Sequence, residues 1–488
     1  MAGDYAELSH RLGLPAQSAR PGVTGIAFDS RKVKPGNVFF ALAGSKTDGA
    51  RFVVDAVQAG AAVILGEGLR PAAVPESVIY AQVADARLAL AKAAAWFHPR
   101  QPETILAVTG TAGKSSVADF ARQIFQSLGH ESASLGTLGV ISSRHADYGS
   151  LTTPDPVSLH ATLDQLAGEG VTHLAVEASS HGLDQRRLDG LRLAAGAFTN
   201  LGRDHLDYHP SVDEYLRAKL RLFEALLPTR APVVINMDGD RAGDVRAVCE
   251  KRGLAVFTTG ARGEHLRLLS TVPARFGQRL ELALGKHVHA AELPLIGAFQ
   301  VENALVAAGF ALALGEAPKP VLEALGALKG VPGRLERVGA RGDAPVFVDY
   351  AHKPEALAHV LDAVRPGVRG RLIVAFGCGG DRDRGKRPIM GAIAARKADI
   401  TIITDDNPRS EEPATIRRDI LMAAPGALEI GDRAAAIREA VAMLEDGDAL
   451  IIAGKGHETG QIVGAVTKPF SDHEEARAAL RSMGGTTT

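Results

Sequence analysis

A glycine-rich turn near residue 110 is the part of the sequence best suited to chemistry. The stretch "ILAVTGTAGKSSVADFARQIF" predicts a strand, a turn at 110–115 and then a helix. Glycines let backbone amides converge on phosphate oxygens, and a helix N-terminus adds partial positive charge. Lys114 is suited to reach nucleotide phosphates and Ser115 to ligate Mg²⁺. Val108 replaces the first glycine of the full motif, so an ordinary turn is the alternative, but the strand–loop–helix context favours a nucleoside triphosphate site.

Side chains that can ligate metal ions follow two later predicted strands. They lie in "LAVEASSHGLDQRR" and "FTNLGRDHLDYH", and they are Glu177, His181, Asp204, His205, Asp207 and His209. The carboxyl ends of strands surround the ligand crevice of an open α/β sheet, so we expect these groups to face the phosphate loop. One glutamate with the Ser115 hydroxyl and phosphate oxygens would suit Mg²⁺. For any single histidine, a satisfied loop or core position is the alternative.

A lysine occupies an apolar stripe in "SVDEYLRAKLRLFEALL". Ser211 and Glu214 have the spacing of a capping box, so a helix is expected to begin there. Its stripe consists of Tyr215, Lys219, Leu222, Phe223 and Leu226. Lys219 is therefore expected on a buried face. Either its amine extends to water, or it is desolvated and partly neutral with chemical consequences.

Opposite charges lie side by side in "ITDDNPRSEEP", which closes the predicted strand "ADITIITDD". Asp405, Asp406, Asn407 and Arg409 would suit a ligand that carries both charges, such as an amino acid. A loop with an internal ion pair is the alternative. Another glycine cluster, "FGCGGDRDRGKRP", has Arg382 where a dinucleotide fingerprint needs its last glycine, which disfavours a nicotinamide or flavin enzyme.

The predicted elements fall into three α/β domains. Short strands "GIAFDSR", "NVFFAL" and "AAVILG" precede a linker at Pro99 and Pro102. Strands "ILAVTG", "THLAVEA", "AGAFTNL" and "PVVINMD" alternate with helices, which predicts a mostly parallel sheet covered on both faces. A new α/β series follows "KGVPGRLERV". The predicted domains are 1–102, 103–332 and 333–488.

Composition narrows the classes of protein. The chain has 488 residues, with 55 Lys plus Arg against 56 Asp plus Glu, a net charge of −1 that gives no reason to expect nucleic acid or an anionic membrane as partner. Cys249 and Cys378 are too far apart in sequence for a disulfide framework and suit a reducing compartment. The sequence shows neither a signal peptide nor an apolar run of about 18 residues, so a cytoplasmic protein is expected.

Ten segments in chain order resemble the Mur ligases. They are "TGTAGKSS", "LTTPDP", "EASSHGLDQRR", "FTNLGRDHLDYH", "YLRAKLRLF", "GRLE", "DYAHKPEAL", "GCGGDRDRGKRPIMG", "DNPR" and "AGKGHE". The resemblance covers nearly all of the chain from residue 26 onward. One departure is Ala112-Gly113-Lys114-Ser115, where many relatives have Asn-Gly-Lys-Thr, but serine keeps the hydroxyl that Mg²⁺ needs.

The resemblance implies an ATP-dependent amide ligase of peptidoglycan precursor synthesis. ATP would phosphorylate the D-glutamyl carboxylate of UDP-N-acetylmuramoyl-L-alanyl-D-glutamate, and an amine would displace phosphate from the acyl phosphate. It implies an N-terminal UDP-substrate domain, a central P-loop-type ATPase domain and a C-terminal Rossmann-like domain that binds the amino acid. The expected amine is meso-2,6-diaminopimelate, the expected cofactor is Mg²⁺, and the expected state is a monomer.

The same resemblance implies roles for individual residues. For ATP they are Gly110, Thr111, Ala112, Gly113, Lys114, Ser115, Ser116, Asn303, Arg334, Asp349 and His352. For the UDP substrate they are Ser30, Ser45, Thr152, Thr153, Ser179, Gln185 and Arg187. For diaminopimelate they are Arg387, Asp406, Asn407, Arg409, Gly454 and Glu458. The implied metal ligands are Ser115, Glu177, His205 and Lys219 as its CO₂ adduct, N6-carboxylysine, and the implied catalytic residues are Lys114, Glu177, His205 and Lys219.

Other functions remain open at this stage. The same chemistry could use L-lysine as the amine, or another acceptor as in folylpolyglutamate synthases. Diaminopimelate is favoured because Arg409 can pair with its distal carboxylate, which lysine lacks. A non-catalytic nucleotide switch would need the phosphate loop but not Lys219, Glu177 and His205 together.

Overall fold

The computed structural model describes residues 3–15, 21–44, 48–72, 74–144, 146–147 (backbone only), 152–202, 204–205 and 208–487. Ser45 and Asp207, named above, lie outside these residues. The chain forms two compact units, Met1–Arg267 with Leu305–Val321, and Leu268–Ala304 with Leu322–Thr488. None of the described helices combines the length and apolar character needed to cross a bilayer.

The N-terminal region is a small parallel α/β domain. Its strands are β1 (Gly3–Asp4), β2 (Gly22–Val23), β3 (Gly25–Ala27), β4 (Asn37–Ala41), β5 (Val63–Gly66) and β6 (Ile79–Gln82). Its helices are α1 (Tyr5–Arg11), α2 (Val53–Gln58) and α3 (Ala86–Phe97). Strands β3 to β6 pair in parallel in chain order. The three strands predicted here are confirmed, and β6 adds a fourth to that sheet.

The central region carries the phosphate loop. Its strands are β7 (Thr104–Thr109), β8 (Ser132–Gly136), β9 (Gly139–Ile141), β10 (Ala146–Asp147), β11 (His173–Glu177), β12 (Leu193–Phe198), β13 (Pro232–Asn236), β14 (Ala255–Gly260) and β15 (Leu266–Ala274). Its helices are α4 (Lys114–Ser127), α5 (Pro156–Gly168), α6 (Ser180–Asp184), α7 (Val212–Arg221) and α8 (Ala242–Lys251). A π-helical turn, Leu222–Leu226, continues α7.

The central sheet has the order β10-β9-β8-β11-β7-β12-β13-β14-β15. Strands β8, β11, β7, β12, β13 and β14 are parallel, and their buried apolar residues suit a sheet with helices on both faces. The mostly parallel sheet is thus confirmed, whereas the antiparallel edge formed by β9 and β10 was not predicted. Strand β7 lies between β11 and β12, so the phosphate loop adjoins both predicted metal-ligand segments at one edge.

The second unit contains the C-terminal sheet. After most of β15, its first elements are β16 (Gly277–Leu284) and β17 (His287–Leu293), an antiparallel pair. Two helices, α9 (Ala298–Ala313) and α10 (Pro318–Leu325), follow in the chain. The next strands are β18 (Glu336–Arg341), β19 (Ala344–Asp349), β20 (Leu372–Phe376), β21 (Ile400–Ile403), β22 (Leu428–Glu429), β23 (Ala449–Ala453), β24 (Gly460–Val463), β25 (Val466–Pro469) and β26 (Thr486–Thr487). The later helices are α11 (Pro354–Val364), α12 (Lys386–Lys397), α13 (Pro413–Leu421), α14 (Arg433–Ala442) and α15 (Asp472–Ser482).

This second sheet has the order β22-β21-β20-β23-β19-β18-β26, with a parallel centre from β22 to β19. Alternate residues of β20 enter different cores. Leu372 and Phe376 pack in one, and Ile373 and Ala375 pack in the other. Apolar residues on both faces explain why the strand is a continuous hydrophobic run. The α/β prediction for the C-terminal region is confirmed.

Candidate active site

The predicted phosphate loop joins β7 to α4. Gly113 caps the helix with a φ of 86°, and Gly110 has a φ of 148°. A Cβ on Gly110 would lie 1.9 Å from the Thr199 Oγ1 atom. Only glycine fits this close approach, because any side chain would displace the end of β12.

Residues after β12 hold the loop. The Thr111 amide donates to the Asn200 carbonyl at 2.9 Å, and the Ala112 amide donates to the Asn200 Oδ1 atom at 3.0 Å. The Thr199 hydroxyl donates to the Ala112 carbonyl at 2.6 Å. The sequence "TN" at 199–200 is therefore a support for the loop, a role that sequence reasoning missed.

Two lysines donate to one carbonyl oxygen in this loop. Lys114 Nζ lies 2.9 Å from the Gly110 oxygen, and Lys219 Nζ lies 2.7 Å from the same atom. Lys219 is 1% exposed, and its Nζ atom lies 4.3 Å from the centre of the Tyr215 ring. Burial, and secondly the charge of Lys114, hold the pKa of Lys219 well below its usual range. The predicted burial is confirmed, and an amine that reaches water is excluded.

Glu177 ends β11 and is 2% exposed. Its Oε1 atom accepts from the Thr137 amide at 2.8 Å, and its Oε2 atom accepts from the Thr137 hydroxyl at 3.3 Å. A Cβ on Gly136 would lie 2.0 Å from Oε1. The missing side chain at 136 thus makes the room in which this carboxylate lies.

The predicted UDP-substrate residues surround the backbone of Glu177. The Thr153 hydroxyl donates to the Glu177 carbonyl at 2.8 Å and lies 3.0 Å from the Ser179 hydroxyl. Arg187 donates to the Thr153 carbonyl at 2.7 Å and to Gln185 Oε1 at 2.8 Å. Burial lowers the pKa of Arg187.

Thr152 joins the same group through a different neighbour. Its hydroxyl lies 3.0 Å from the Thr137 hydroxyl, which also contacts Glu177. Thr152, Thr153, Ser179, Gln185 and Arg187 therefore form one polar network beside a candidate metal ligand. Ser30 lies elsewhere in the first unit, at the start of the short 3₁₀ turn Ser30–Lys32.

Aromatic rings crowd the second metal-ligand segment. The His181 ring centre lies 4.9 Å from that of His205 and 4.0 Å from that of Tyr208. His205 has a φ of 54°, and its amide donates to Asp204 Oδ1 at 2.8 Å. In the part of the chain that the structure describes, no three His, Cys, Asp or Glu side chains converge as a metal cluster. The Ser115 hydroxyl and the Glu177 carboxylate are oxygen donors, which suit Mg²⁺ better than a histidine cluster would.

Two of the predicted nucleotide residues of the second unit, Arg334 and Asp349, lie at the end of β19. Burial raises the pKa of Asp349 to about 6, although the nearby Arg334 acts in the opposite direction. Asp349 accepts from the Leu335 amide at 2.6 Å and from the Ala351 amide at 2.7 Å. Arg334 lies 5.1 Å from the centre of the Tyr350 ring. Asn303 lies on α9 and is 6% exposed.

A cavity of about 560 Å³ lies where several strands of the second sheet end. Five of the six predicted diaminopimelate residues line it, namely Asp406, Asn407, Arg409, Gly454 and Glu458. His352, predicted for the nucleotide, lines it as well. Sequence reasoning missed several other lining residues, namely Tyr350, Lys353, Pro354, Glu355, Gly379, Arg382, Asp383, Lys386 and Ile389.

Arg409 presents its guanidinium to this cavity. Its Nη1 atom donates a hydrogen bond to the Gly380 carbonyl at 2.9 Å. Its backbone has a φ of 52°, and its amide donates to the Ile462 carbonyl. Among the residues described, no carboxylate forms an ion pair with it. Asp405 instead pairs with Arg417 and does not line the cavity. An internal ion pair therefore explains Asp405 but not Arg409.

Arg387 does not line the cavity. It is fully buried in α12, where it donates to Glu411 at 2.9 Å and to Asp419 at 2.9 Å. Glu411 also accepts from the Asp381 amide at 2.7 Å. Because both carboxylates already bind its guanidinium, Arg387 supports the loop behind the cavity. Arg382 and Lys386, from the same motif, line the cavity in its place.

Comparison with known proteins agrees with this architecture. Three family models match, the Mur ligase family catalytic domain at 22–98, the Mur ligase middle domain at 108–311 and the Mur ligase glutamate ligase domain at 333–456. The chain is 58% identical over 464 residues to the UDP-N-acetylmuramoyl-L-alanyl-D-glutamate–2,6-diaminopimelate ligase of Bradyrhizobium diazoefficiens, covering 94% of this chain and 95% of that protein. It is also 58% identical to the protein of that name from Mesorhizobium japonicum, covering 95% and 96%.

Solved structures extend the comparison. The structure titled UDP-N-acetylmuramoyl-L-alanyl-D-glutamate–2,6-diaminopimelate ligase matches with a TM-score of 0.76 and 31% identity over 99% of this chain and all of that one. A Mycobacterium tuberculosis folylpolyglutamate synthase at 18% identity, with a TM-score of 0.60 over 80% and 94% of the two chains, shows the fold alone.

The fold and the two charged regions define a class, an α/β enzyme with a phosphate loop and a separate α/β domain that holds a cavity with charges of both signs. The chain belongs to the Mur ligase family. The predicted family is confirmed. The domain boundaries at residues 102 and 332 stay a prediction.

Proposed function

We propose that this chain is an ATP-dependent ligase that joins meso-2,6-diaminopimelate to UDP-N-acetylmuramoyl-L-alanyl-D-glutamate. Relatives at 55–58% identity carry that activity in their names. The single observation in the structure that carries the proposal is Arg409, a cation that lines the cavity together with Asp406 and Glu458 and forms no ion pair with a carboxylate among the described residues.

The first step activates a carboxylate. A D-glutamyl carboxylate oxygen attacks the γ-phosphorus of ATP, the bond to the β,γ-bridging oxygen breaks, and an acyl phosphate and ADP form. Two anions must approach each other, so the site needs positive charge. The loop amides and Lys114 supply it, and Lys114 lies next to the loop because it donates to the Gly110 and Thr111 carbonyls.

Mg²⁺ fits this site through its oxygen donors. Ser115 and Glu177 would hold it, with His205 and the carbamate of Lys219 as the further expected ligands, and it would supply charge neutralisation at the phosphates. Lys219 suits carbamate formation because its depressed pKa favours the neutral amine. A neutral amine attacks CO₂ through its lone pair, and loss of one proton leaves a carbamate anion in place of the cation.

The acceptor substrate is assigned to the polar network beside Glu177. Thr152, Thr153, Ser179, Gln185 and Arg187 offer hydroxyls, an amide and a guanidinium for the muramoyl-dipeptide, and Ser30 and Ser45 are proposed for the UDP portion. The residues assigned to ATP are those of the phosphate loop and, in addition, Asn303, Arg334, Asp349 and His352.

The second step forms the amide. The amine of diaminopimelate, in its neutral form, attacks the acyl carbon, phosphate leaves with the bonding electrons of the acyl–oxygen bond, and the nitrogen releases one proton to solvent. The far end of diaminopimelate carries an ammonium and a carboxylate. Arg409 would bind that carboxylate in a two-pronged pair. L-lysine lacks it, so Arg409 would stay unpaired, which favours diaminopimelate over lysine as the amine.

Phosphate release provides the test. The purified protein is incubated with ATP, Mg²⁺ and the UDP-muramoyl-dipeptide, with diaminopimelate, with L-lysine or without an amine. Release that depends on diaminopimelate is expected, and comparable turnover of lysine would refute the substrate assignment. The proposal also includes a cytoplasmic monomer, which sedimentation and cell fractionation examine.

A further inference from the structure

A fully buried lysine lies behind the wall of the cavity. Lys455 follows β23 and is 0% exposed. Its Nζ atom lies 3.0 Å from Asn407 Oδ1, 3.0 Å from Glu458 Oε2 and 3.8 Å from Asp406 Oδ1. Its three partners line the cavity, whereas Lys455 does not. It therefore acts on a ligand only through them.

The hydrogen bonds fix the orientation of Asn407. Its Oδ1 atom accepts from Lys455 at 3.0 Å and from the Ile462 amide at 2.9 Å. An amide oxygen has two lone pairs, so both are in use. Its Nδ2 atom donates to Glu458 at 2.9 Å. Asn407 thus has no acceptor left for a substrate ammonium, and the carboxylates of Asp406 and Glu458 are the acceptors on this wall.

The net charge of the cavity wall formed by Asp406 and Glu458 indicates a second role for Lys455. Two carboxylates and one ammonium leave this wall with one net negative charge. Arg433 does not change the count, because Asp472 binds it with contacts of 2.7 and 2.8 Å, and both side chains are fully buried. Arg409 adds one positive charge to the cavity. Near Asn407 the cavity thus presents a wall with net negative charge and the Arg409 cation, which match the ammonium and carboxylate of an amino-acid end. Its other charged lining residues are Lys353, Glu355, Arg382, Asp383 and Lys386.

We propose that Lys455 is a positioning residue that supplies a counter-charge to the two carboxylates of the ammonium-binding wall and holds Asn407 and Glu458 in place for the amino-acid substrate. This inference rests on the proposed function. It assigns the substrate ammonium to the carboxylates of Asp406 and Glu458 rather than to the side chain of Asn407.

The surroundings of Asp406 make the role testable by pH. Burial raises the pKa of Asp406, Arg433 and Lys455 lower it, and Glu458 and Asp472 raise it. The charged and titratable groups around it are Lys455, Glu458, Arg433, Asp472, Tyr350, His352 and Cys378. Without Lys455, a charge that lowers the pKa of Asp406 is lost, so we expect that pKa to rise and Asp406 to bind a proton at a higher pH.

The experiment uses the full chain and measures the KM for diaminopimelate between pH 6.5 and 8.5. In Lys455→Met we expect that KM to rise about tenfold at pH 7 and to fall as pH increases, since the ammonium must displace the extra proton. The KM for ATP should change less than twofold. Lys455→Met with Glu458→Gln restores one net negative charge, so the pH dependence should disappear. Lys468→Met, at an exposed position of β25, is the matched control.

A measurement on the unmodified enzyme covers the case in which Lys455→Met does not fold. Diaminopimelate is titrated calorimetrically in two buffers of different ionisation enthalpy, with the UDP substrate and a non-hydrolysable ATP analogue present. If the carboxylates are ionised, the attacking amine is the one source of a released proton near pH 7, so release of more than one proton per site would overturn the inference. A pH-independent KM in folded Lys455→Met would do the same. If the unmodified enzyme shows no turnover with diaminopimelate, the proposed function itself has failed.

Discussion

Lys219 and Lys455 are both buried, but their neighbours differ. Lys219 donates to a backbone carbonyl, lies over an aromatic ring and is repelled by the positive charge of a second lysine, Lys114. Lys455 contacts an amide oxygen and two carboxylates. Burial removes water from both, so the partners decide the chemistry. A buried amine without an acid partner tends to be neutral and nucleophilic, whereas one beside carboxylates serves as a fixed cation.

The largest effect should come from Lys114→Ala. We expect ATP turnover to fall by about 10³-fold or more, because the cation at the phosphates is lost. Calorimetry should still detect binding of the UDP substrate. Added bicarbonate should not restore activity, since Lys114 acts as a cation. Loss of both ligands in a folded variant would contradict separate roles.

Lys219→Ala tests whether the amine of Lys219 acts as a carbamate. We expect ligation to fall by about 10³-fold and to recover in part with high bicarbonate or short carboxylic acids, which can replace the oxygen atoms of a carbamate. Lys251→Ala, on the exposed surface of α8, serves as the control. If Lys219→Ala stays active and its ligation rate does not change with bicarbonate, a carbamate at Lys219 is excluded.

Arg409→Ala tests the cation that lines the cavity, as distinct from the buried cation Lys455. We expect the KM for diaminopimelate to rise about 30-fold to several-thousand-fold, with a much smaller change in the KM for ATP. Preference for diaminopimelate over lysine should shrink by a similar factor. Arg418→Ala on α13, an exposed arginine, should leave both constants unchanged. Equal effects on ATP and diaminopimelate would count against a specific role.

The last expected effect is on stability, and its sign should differ between the two lysines. The folded pKa of Lys219 is lowered, so the unfolded chain binds the extra proton and stability rises with pH. Lys219→Met should therefore stabilise the protein by about 1–3 kcal/mol, more at lower pH. Lys455→Met should destabilise it by about 3–5 kcal/mol, because two carboxylates lose their partner. Thermal and urea unfolding measure both.

Much of the fold and of the candidate site could be predicted from the sequence, since the residues that form each motif are close together in the chain. The phosphate loop and the burial of Lys219 follow from local spacing, and the charged loop at Asp406–Arg409 follows from strand ends. Whether a given side chain points into the cavity or into the protein interior is harder to predict. Of the cations in "GGDRDRGKRP", Arg382 and Lys386 line the cavity while Arg387 is turned inward, because α12 begins at Lys386. The partners of Arg387 and Lys455 come from distant segments, so local patterns could not reveal them.

The contact between Gly136 and Glu177 has an evolutionary consequence. Every codon for glycine begins with the same two bases, so any change in either base that does not create a stop codon introduces a side chain at position 136. The Cβ atom would lie 2.0 Å from a carboxylate that is 2% exposed and bound by Thr137. Glu177 would then have to leave its position. A mutational path that alters this enzyme, under selection by an inhibitor for example, is therefore expected to leave position 136 unchanged.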